Sequence, residues 1–172
     1  MNVKNNKRRR ESRDKIEKAF IELLQTREIK EITVSDIIKN TGLNRSTFYA
    51  NYMDIFDLAD KTREKLENEF SELFAGYDYF NERSGVDTMF AHIKENQIFY
   101  KTYFKLCYDD NHLVSIYDPK RAAQERMDNN IQYHIEFFRN GLNAIIKLWL
   151  ANGCQESPEA MANVIKQEYR GR

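Results

Sequence analysis

Apolar residues recur along this chain at the spacing of helices that bury one face. The first stripe follows Ser12, a candidate N-cap, at positions i, i+3, i+4, i+7 and i+8. Its members are Ile16, Ala19, Phe20, Leu23 and Leu24. Further amphipathic segments cover residues 53–74 and about 120–152, and Ser157 followed by Pro158 opens a last helix. The pattern predicts an all-α fold.

Two short helices joined by a tight turn are predicted between Thr33 and Tyr52. Thr33 caps the first helix, and Gly42 supplies the left-handed backbone that ends it. Asn44 caps the second helix, on which Phe48 and Tyr52 share an anchoring face. The opposite face carries hydrogen-bonding residues without an acid: Arg45, Ser46, Thr47, Tyr49 and Asn51. Such a helix fits the major groove of DNA, so the pattern predicts a helix-turn-helix.

Within this face, Arg45 is the main candidate for a base contact, because the bidentate arginine–guanine pair is the commonest specific one. Thr47 and Asn51 are weaker candidates. Phosphate contacts that set register are expected from Thr33, Ser46, Tyr49 and the basic N-terminus. An alternative for Tyr49 is a structural role, with its ring packed and only its hydroxyl outward. The DNA-binding set is Thr33, Asn44, Arg45, Ser46, Thr47, Tyr49 and Asn51, together with Arg8, Arg9 and Arg10 of the N-terminus.

The basic residues 1–11 admit two interpretations, which can hold at different times. Runs of like charge repel and stay open, which favours a disordered, solvated tail in the free protein. On DNA the same residues would form an arm that follows phosphates or enters the minor groove.

The helix-turn-helix residues resemble the TetR family of bacterial transcriptional repressors. The family's recognition segment, G-v-s-x-x-t-l-Y-x-h-F, corresponds here to GLNRSTFYANY from Gly42 to Tyr52. Its fourth helix opens on K-x-x-L, where Leu58 matches the leucine but Ile55 replaces the lysine that touches phosphate. The resemblance implies a helix-turn-helix domain over residues 1–54, followed by a helical dimerisation and ligand-binding domain over residues 55–172.

A second resemblance lies near the C-terminus. GLNAIIKLWLANGCQESPEAM, from Gly141 to Met161, is similar to the motif G-x-x-x-I-I-x-x-W-L-x-x-G-x-x-x-S-P-E-x-M of a TetR-family branch common in Firmicutes. It implies a two-fold, four-helix dimer interface. The apolar seam and last helix that would form it comprise Ile135, Phe138, Leu142, Ile145, Trp149, Met161 and Ile165. A second apolar edge on Gly141, Ala144 and Leu148 also favours a dimer.

Residues 77–118 hold aromatic residues at mixed spacing and are predicted to form two helices with a bend near Asn96. Ordinary core packing is one interpretation, since aromatic side chains at helical spacing usually belong to a core. The other is a pocket for a small apolar or aromatic effector. Its candidate residues are Phe90, Tyr100, Tyr103, Phe104, His134 and Phe137.

Composition narrows the function. Only 6 glycines and 2 prolines occur in 172 residues, no apolar run reaches the ~20 residues of a membrane span, and the polar N-terminus does not resemble a secretory signal. Cys107 and Cys154 lack metal-ligand spacing. We therefore expect a cytoplasmic protein without membrane association, metal or cofactor. There is no P-loop, dinucleotide fingerprint or nucleophile–base spacing, so an enzyme is not expected.

The charge is unevenly distributed. Residues 1–55 carry 12 Lys and Arg against 8 Asp and Glu, a net +4, and residues 56–172 carry 15 against 19, a net −4. The net positive charge of residues 1–55 suits binding to an anionic partner. We expect a homodimeric DNA-binding regulator of a palindromic operator, a repressor released by a small-molecule effector. The alternative is a coactivator or architectural DNA-binding protein of the same fold, controlled by a protein partner.

Overall fold

The computed structural model describes residues 3–74, 85–107 and 130–170. Regular structure in these ranges is helical throughout, as predicted. The elements are α1 (Val3–Leu24), a 3₁₀ turn (Ile29–Glu31), α2 (Val34–Thr41), α3 (Arg45–Tyr49), α4 (Ile55–Phe74), α5 (Gly85–Glu95), α6 (Gln97–Leu106), α7 (Ile131–Ala151) and α8 (Pro158–Arg170). Within the same ranges, no helix combines the length and apolarity that a bilayer crossing requires.

The chain divides into two compact units, Met1–Glu69 and Phe70–Arg172. In the first unit, α2 packs on α1 and on α3. The stripe predicted on α1 is buried at Ile16, Ala19, Phe20 and Leu24. Burial of this stripe supports the two shorter helices, which have too few residues to be stable alone.

The turn between α2 and α3 has the predicted chemistry. Gly42 ends α2 with φ +68°, in the left-handed region, and its N–H donates to the carbonyl of Ile38 at 2.9 Å. Asn44 then begins α3, since its side-chain oxygen accepts the N–H of Thr47 at 2.8 Å. The helix-turn-helix prediction is confirmed at these positions.

The first helix starts earlier than predicted. α1 begins at Val3, so the disordered tail expected for residues 1–11 is wrong for residues 3–11. Ser12 lies inside the helix, where its hydroxyl donates to the carbonyl of Arg8 at 2.9 Å instead of capping an N-terminus. Lysine and arginine are good helix formers, which offsets the repulsion within the basic run.

In the second unit, α5 packs on α8 and α6 packs on α7. Asn96 separates α5 from α6, where the bend was predicted. The long C-terminal helix starts at Ile131, since Asn130, with φ −104° and ψ 14°, lies outside the helical conformation, and the start predicted near Lys120 lies outside the described residues. The predicted helix end at Gly76 and polar break at 109–118 lie outside the described residues.

The last helix begins as predicted. Gly153 closes α7 with φ +72°. The hydroxyl of Ser157 accepts the N–H of Ala160 at 3.1 Å, and Pro158 occupies the first helical position, where no N–H is needed.

Gly42→Ala is expected to lower the free energy of unfolding by about 1–2 kcal/mol, the cost of holding an L-residue in the left-handed region. Among the described residues, no heavy atom that a new Cβ would meet lies within 4 Å, so the cost is conformational and not a clash. Gly42→Asn is the control, since asparagine tolerates this conformation better. Urea denaturation measures the free energy of unfolding of both variants. An alanine variant as stable as wild type would contradict the prediction.

Candidate nucleic-acid interface

The recognition helix α3 is held by one buried face. Phe48 is fully buried, Tyr52 is almost so, and their ring centroids lie 5.7 Å apart. The exposed Tyr49 packs edge-on against Phe48 at 5.5 Å. This anchoring leaves Arg45 and Ser46 exposed. The predicted reading face is therefore the face that the core does not use.

The N-terminus of α3 is organised around a single oxygen atom. Oδ1 of Asn44 accepts the N–H of Thr47 at 2.8 Å, the hydroxyl of Thr47 at 2.7 Å and the hydroxyl of Ser46 at 2.7 Å. Both hydroxyl protons are thus committed to the cap. Ser46 and Thr47 keep lone pairs that can accept hydrogen bonds from base amino groups.

The guanidinium of Arg45 is oriented by the neighbouring helix. Its Nη2 donates to Oγ of Ser35 on α2 at 2.5 Å. Ser35 was missed by the sequence analysis, because its role follows from the crossing of α2 and α3 and not from any periodicity. Arginine carries five N–H donors, so the contact leaves others available.

Asn51 is engaged at both ends of its amide. Its Nδ2 donates to the carbonyl of Thr47 at 2.8 Å, and its Oδ1 accepts Nε of Arg9 at 3.3 Å. Arg9 also donates to the carbonyl of Ala50 at 3.2 Å, so it supplies a hydrogen-bond donor to a backbone carbonyl at the C-terminal end of α3. The structure brings Arg9 to the recognition helix, while Arg8 and Arg10 are exposed on α1.

Thr33 and Asp36 form a reciprocal cap on α2. The N–H of Thr33 donates to Oδ2 of Asp36 at 2.9 Å, and Oγ1 of Thr33 accepts the N–H of Asp36 at 3.2 Å. The Thr33 hydroxyl also donates to Oδ2 at 2.7 Å, and Arg27 lies 3.2 Å from the same oxygen. The hydrogen bonds from Thr33, helped by Arg27, lower the pKa of Asp36 to about 2.

Comparisons with known proteins agree with this geometry. Residues 81–170, just over half of the chain, match the TetR-family model described as a transcriptional regulator C-terminal region. The chain belongs to the TetR family of transcriptional regulators. The crystal structure of a TetR transcriptional regulator from Streptococcus agalactiae 2603V has a similar fold, with a TM-score of 0.69 over 95% of this chain and 96% of that one, at 19% identity.

A curated relative is the HTH-type dhaKLM operon transcriptional activator DhaS of Lactococcus lactis subsp. lactis (strain IL1403). It is 31% identical over 102 residues, which make up 59% of this chain and 53% of DhaS. The match thus spans about half the length of this relative.

One family position differs in a way the structure explains. Ile55, which replaces the lysine of the TetR-family motif, is buried in the first unit and is a core residue. Another lysine reaches the end of α3 from α4. The ammonium of Lys61 lies 2.8 Å from Oδ2 of Asp57, 3.4 Å from the carbonyl of Asn51, and 5.3 Å from the ring centroid of Tyr52.

The predicted effector-pocket residues differ in burial. Phe90, Tyr100 and Tyr103 are buried, and the Tyr100 hydroxyl lies 2.8 Å from Nδ1 of His92. Burial lowers the pKa of His92, which favours its neutral form. Phe104 is half-buried, with the ammonium of Lys147 5.3 Å from its ring centroid, whereas His134 and Phe137 are exposed on α7. Core packing thus accounts for the first three aromatic residues.

Several residues assigned to a dimer surface are also core residues. Phe138, Leu142, Trp149 and Ile165 are buried within the unit, and the Trp149 ring packs edge-on against Phe90 at 5.4 Å. These four side chains are thus covered within their own unit, and their part in a surface between two copies stays a prediction. Ile145 and Met161 are half-buried, and the side chain of Ile135 lies outside the described residues.

The opposite face of α7 carries an exposed apolar stripe. It comprises Tyr133, Phe137, Gly141, Ala144 and Leu148, and no charged residue interrupts this spacing. Tyr133 is 77% exposed, Phe137 67% and Leu148 63%. The stripe contains the edge on Gly141, Ala144 and Leu148 that the sequence analysis singled out.

The cap of α2 is expected to make stability pH-dependent in one window. Because the pKa of Asp36 is lowered from 3.8 to about 2 in the folded chain, its stabilising effect is complete above pH 4 and is lost as the pH falls towards 2. The free energy of unfolding of wild type is compared with that of Asp36→Asn from pH 5 to pH 2. Because both proteins share all other carboxylates, the difference reports on Asp36 alone. The stability difference should shrink across the window, and a constant difference would contradict the assignment.

Proposed function

We propose that this protein is a homodimeric transcriptional regulator that reads a two-fold symmetric operator with α3. The single observation that carries the proposal is the anchored recognition helix. Phe48 and Tyr52 are buried, while the outer surface from Asn44 to Met53 contains no acidic residue. A short helix held in this way can enter the major groove without repulsion from phosphates.

The contacts divide into two classes. Arg45 reads a base, since its exposed guanidinium is oriented by Ser35 and retains unused donors. Tyr49 and the basic N-terminal turns of α1 contact phosphates and set the register of the protein on the duplex. Thr33 and Ser46, predicted to do the same, already donate their hydroxyl protons to Asp36 and Asn44 and have none left for a phosphate oxygen. Asn51 contributes through Arg9 more than through a base, because both ends of its amide are engaged.

Dimerisation uses the exposed stripe on α7. Two copies of an apolar stripe with glycine and alanine at its centre can approach closely around a two-fold axis. Such an axis places two recognition helices on half-sites one helical turn apart. The stripe supports this proposal because large apolar side chains aligned on one helix face usually mark an interaction surface.

Two modes of regulation are proposed: one represses transcription and the other activates it. In the first, the protein is a repressor released by a small apolar or aromatic effector bound in the second unit. In the second, it is a coactivator controlled by a protein partner; the Lactococcus lactis relative is named a transcriptional activator, which supports activation but not the kind of control. Expression of a reporter behind the selected operator, with and without the protein, separates them.

Selection of DNA from a random pool, followed by binding across a salt series, tests the proposed function. A palindrome bound by two subunits, with affinity that falls steeply with salt, is the expected result. Binding without sequence preference would contradict operator reading and leave an architectural role.

Arg45→Ala is expected to weaken binding to the selected site by about 1–3 kcal/mol and to relax preference at one base position. Arg45→Lys should not restore that preference, because lysine lacks the planar fork that pairs with guanine. Lys18→Ala removes the same charge from an exposed position of α1 and serves as the control. Equal weakening on specific and random DNA would show that Arg45 contacts phosphate instead.

Leu148→Glu is expected to raise the dimer dissociation constant roughly a hundred-fold or more, since an unpaired buried carboxylate costs about 3 kcal/mol. Sedimentation equilibrium measures the change. Gln132→Glu places the same group at an exposed position of α7 outside the stripe, so it should leave the dimer intact. A monomeric wild type, or a Leu148→Glu variant that dimerises normally, would remove the stripe from the interface.

A further inference from the structure

A carboxylate is buried where three elements of the first unit meet. Glu17 lies on the core face of α1 and is only 7% exposed. Its Oε1 accepts the hydroxyl of Tyr52, just beyond the recognition helix, at 2.9 Å. Its Oε2 accepts the ammonium of Lys65 on α4 at 2.8 Å. Arg13, one turn earlier on α1, lies 3.8 Å from Oε1.

The surrounding groups keep these contacts charge-assisted. Burial raises the pKa of Tyr52, so the phenol stays protonated and donates its proton. The hydrogen bond to Glu17 raises the pKa of Lys65, so the ammonium stays charged. Charge-assisted hydrogen bonds are short and directional, whereas apolar contacts are not.

Stability alone is a poor reason for this arrangement. Moving the Glu17 carboxylate out of water is costly, and the Lys65 side chain that pairs with it stays 53% exposed, so the pair gains little from its Coulomb attraction. The positions of the three groups suggest another role. Glu17 ties the residue that ends the helix-turn-helix to α1 on one side and to α4 on the other, over sequence separations of 35 and 48 residues.

We propose that Glu17 is a positioning residue for DNA recognition, which fixes the orientation of the recognition helix relative to α1 and α4 through Tyr52 and Lys65. The inference rests on the proposed DNA-reading function. With the link intact, α3 meets the operator in one orientation. Without it, Phe48 and the ring of residue 52 still anchor α3, but the helix samples several orientations and fewer of them present Arg45 correctly.

The test replaces the whole network by apolar residues. The triple variant Glu17→Leu, Tyr52→Phe, Lys65→Met removes one negative and one positive charge, so net charge and long-range attraction to DNA are unchanged. The control, Lys18→Met with Glu22→Leu, removes the same charges from exposed positions of α1. Thermal unfolding is measured beside binding to the selected operator, to a site with one base changed in each half, and to random DNA.

The triple variant is expected to unfold at or above the wild-type temperature, yet to lose about ten-fold in affinity for the operator, equivalent to roughly 1.4 kcal/mol. Its affinity for random DNA should not change, so discrimination falls by the same factor. A purely structural role would change stability and leave discrimination intact. A triple variant that is stable and discriminates like wild type would overturn the inference.

A second variant decides the question if the triple variant does not fold. Tyr52→Phe keeps the anchoring ring and the Glu17–Lys65 pair and releases only the link to the recognition helix. Reduced discrimination with a nearly unchanged unfolding temperature supports the inference, and wild-type discrimination overturns it. If the wild-type chain itself selects no DNA sequence, the proposed function fails, which is a different result from failure of the positioning role alone.

Discussion

The anchoring of a very short helix is the constraint on which the helix-turn-helix unit depends. α3 spans only Arg45–Tyr49, and a helix of this length is not stable in water by itself. Burial of Phe48 and Tyr52 supplies the missing stability and at the same time decides which side chains face outward. The fold and the proposed function are therefore coupled at these two aromatic residues, because the burial that stabilises α3 also decides which of its side chains are exposed.

Around this anchor, several polar groups are already paired within the chain. Asn44 takes the hydroxyl protons of Ser46 and Thr47, and Arg9 engages Asn51. These contacts reduce the side-chain freedom that binding would otherwise remove, which is the general advantage of preorganisation. Arg45 differs from its neighbours, because one contact to Ser35 orients a group that still has donors to offer.

The second unit shows how one helix can serve two surfaces. α7 buries Phe138, Leu142 and Trp149 inside its own unit and exposes Phe137 and Leu148 on the opposite face. A helix that is apolar on both sides can use two partners, and among the described elements α6 packs on α7. This division explains why an aromatic residue such as Phe90, which packs on Trp149, is core, and the opposite face is the one that we propose for contact with a second copy.

Local chemistry was readable from the sequence alone. Gly42, Asn44 and Ser157 determine where helices end and begin, because turn and cap preferences act over a few residues. The α1 stripe and the anchoring pair followed from helical periodicity. The partners of long side chains did not, since Arg9, Arg45 and Glu17 reach across to other helices. Likewise, periodicity identified both apolar faces of α7, but only the packing of α5 and α6 decided which face is buried, because a helix shows its period without showing its neighbours.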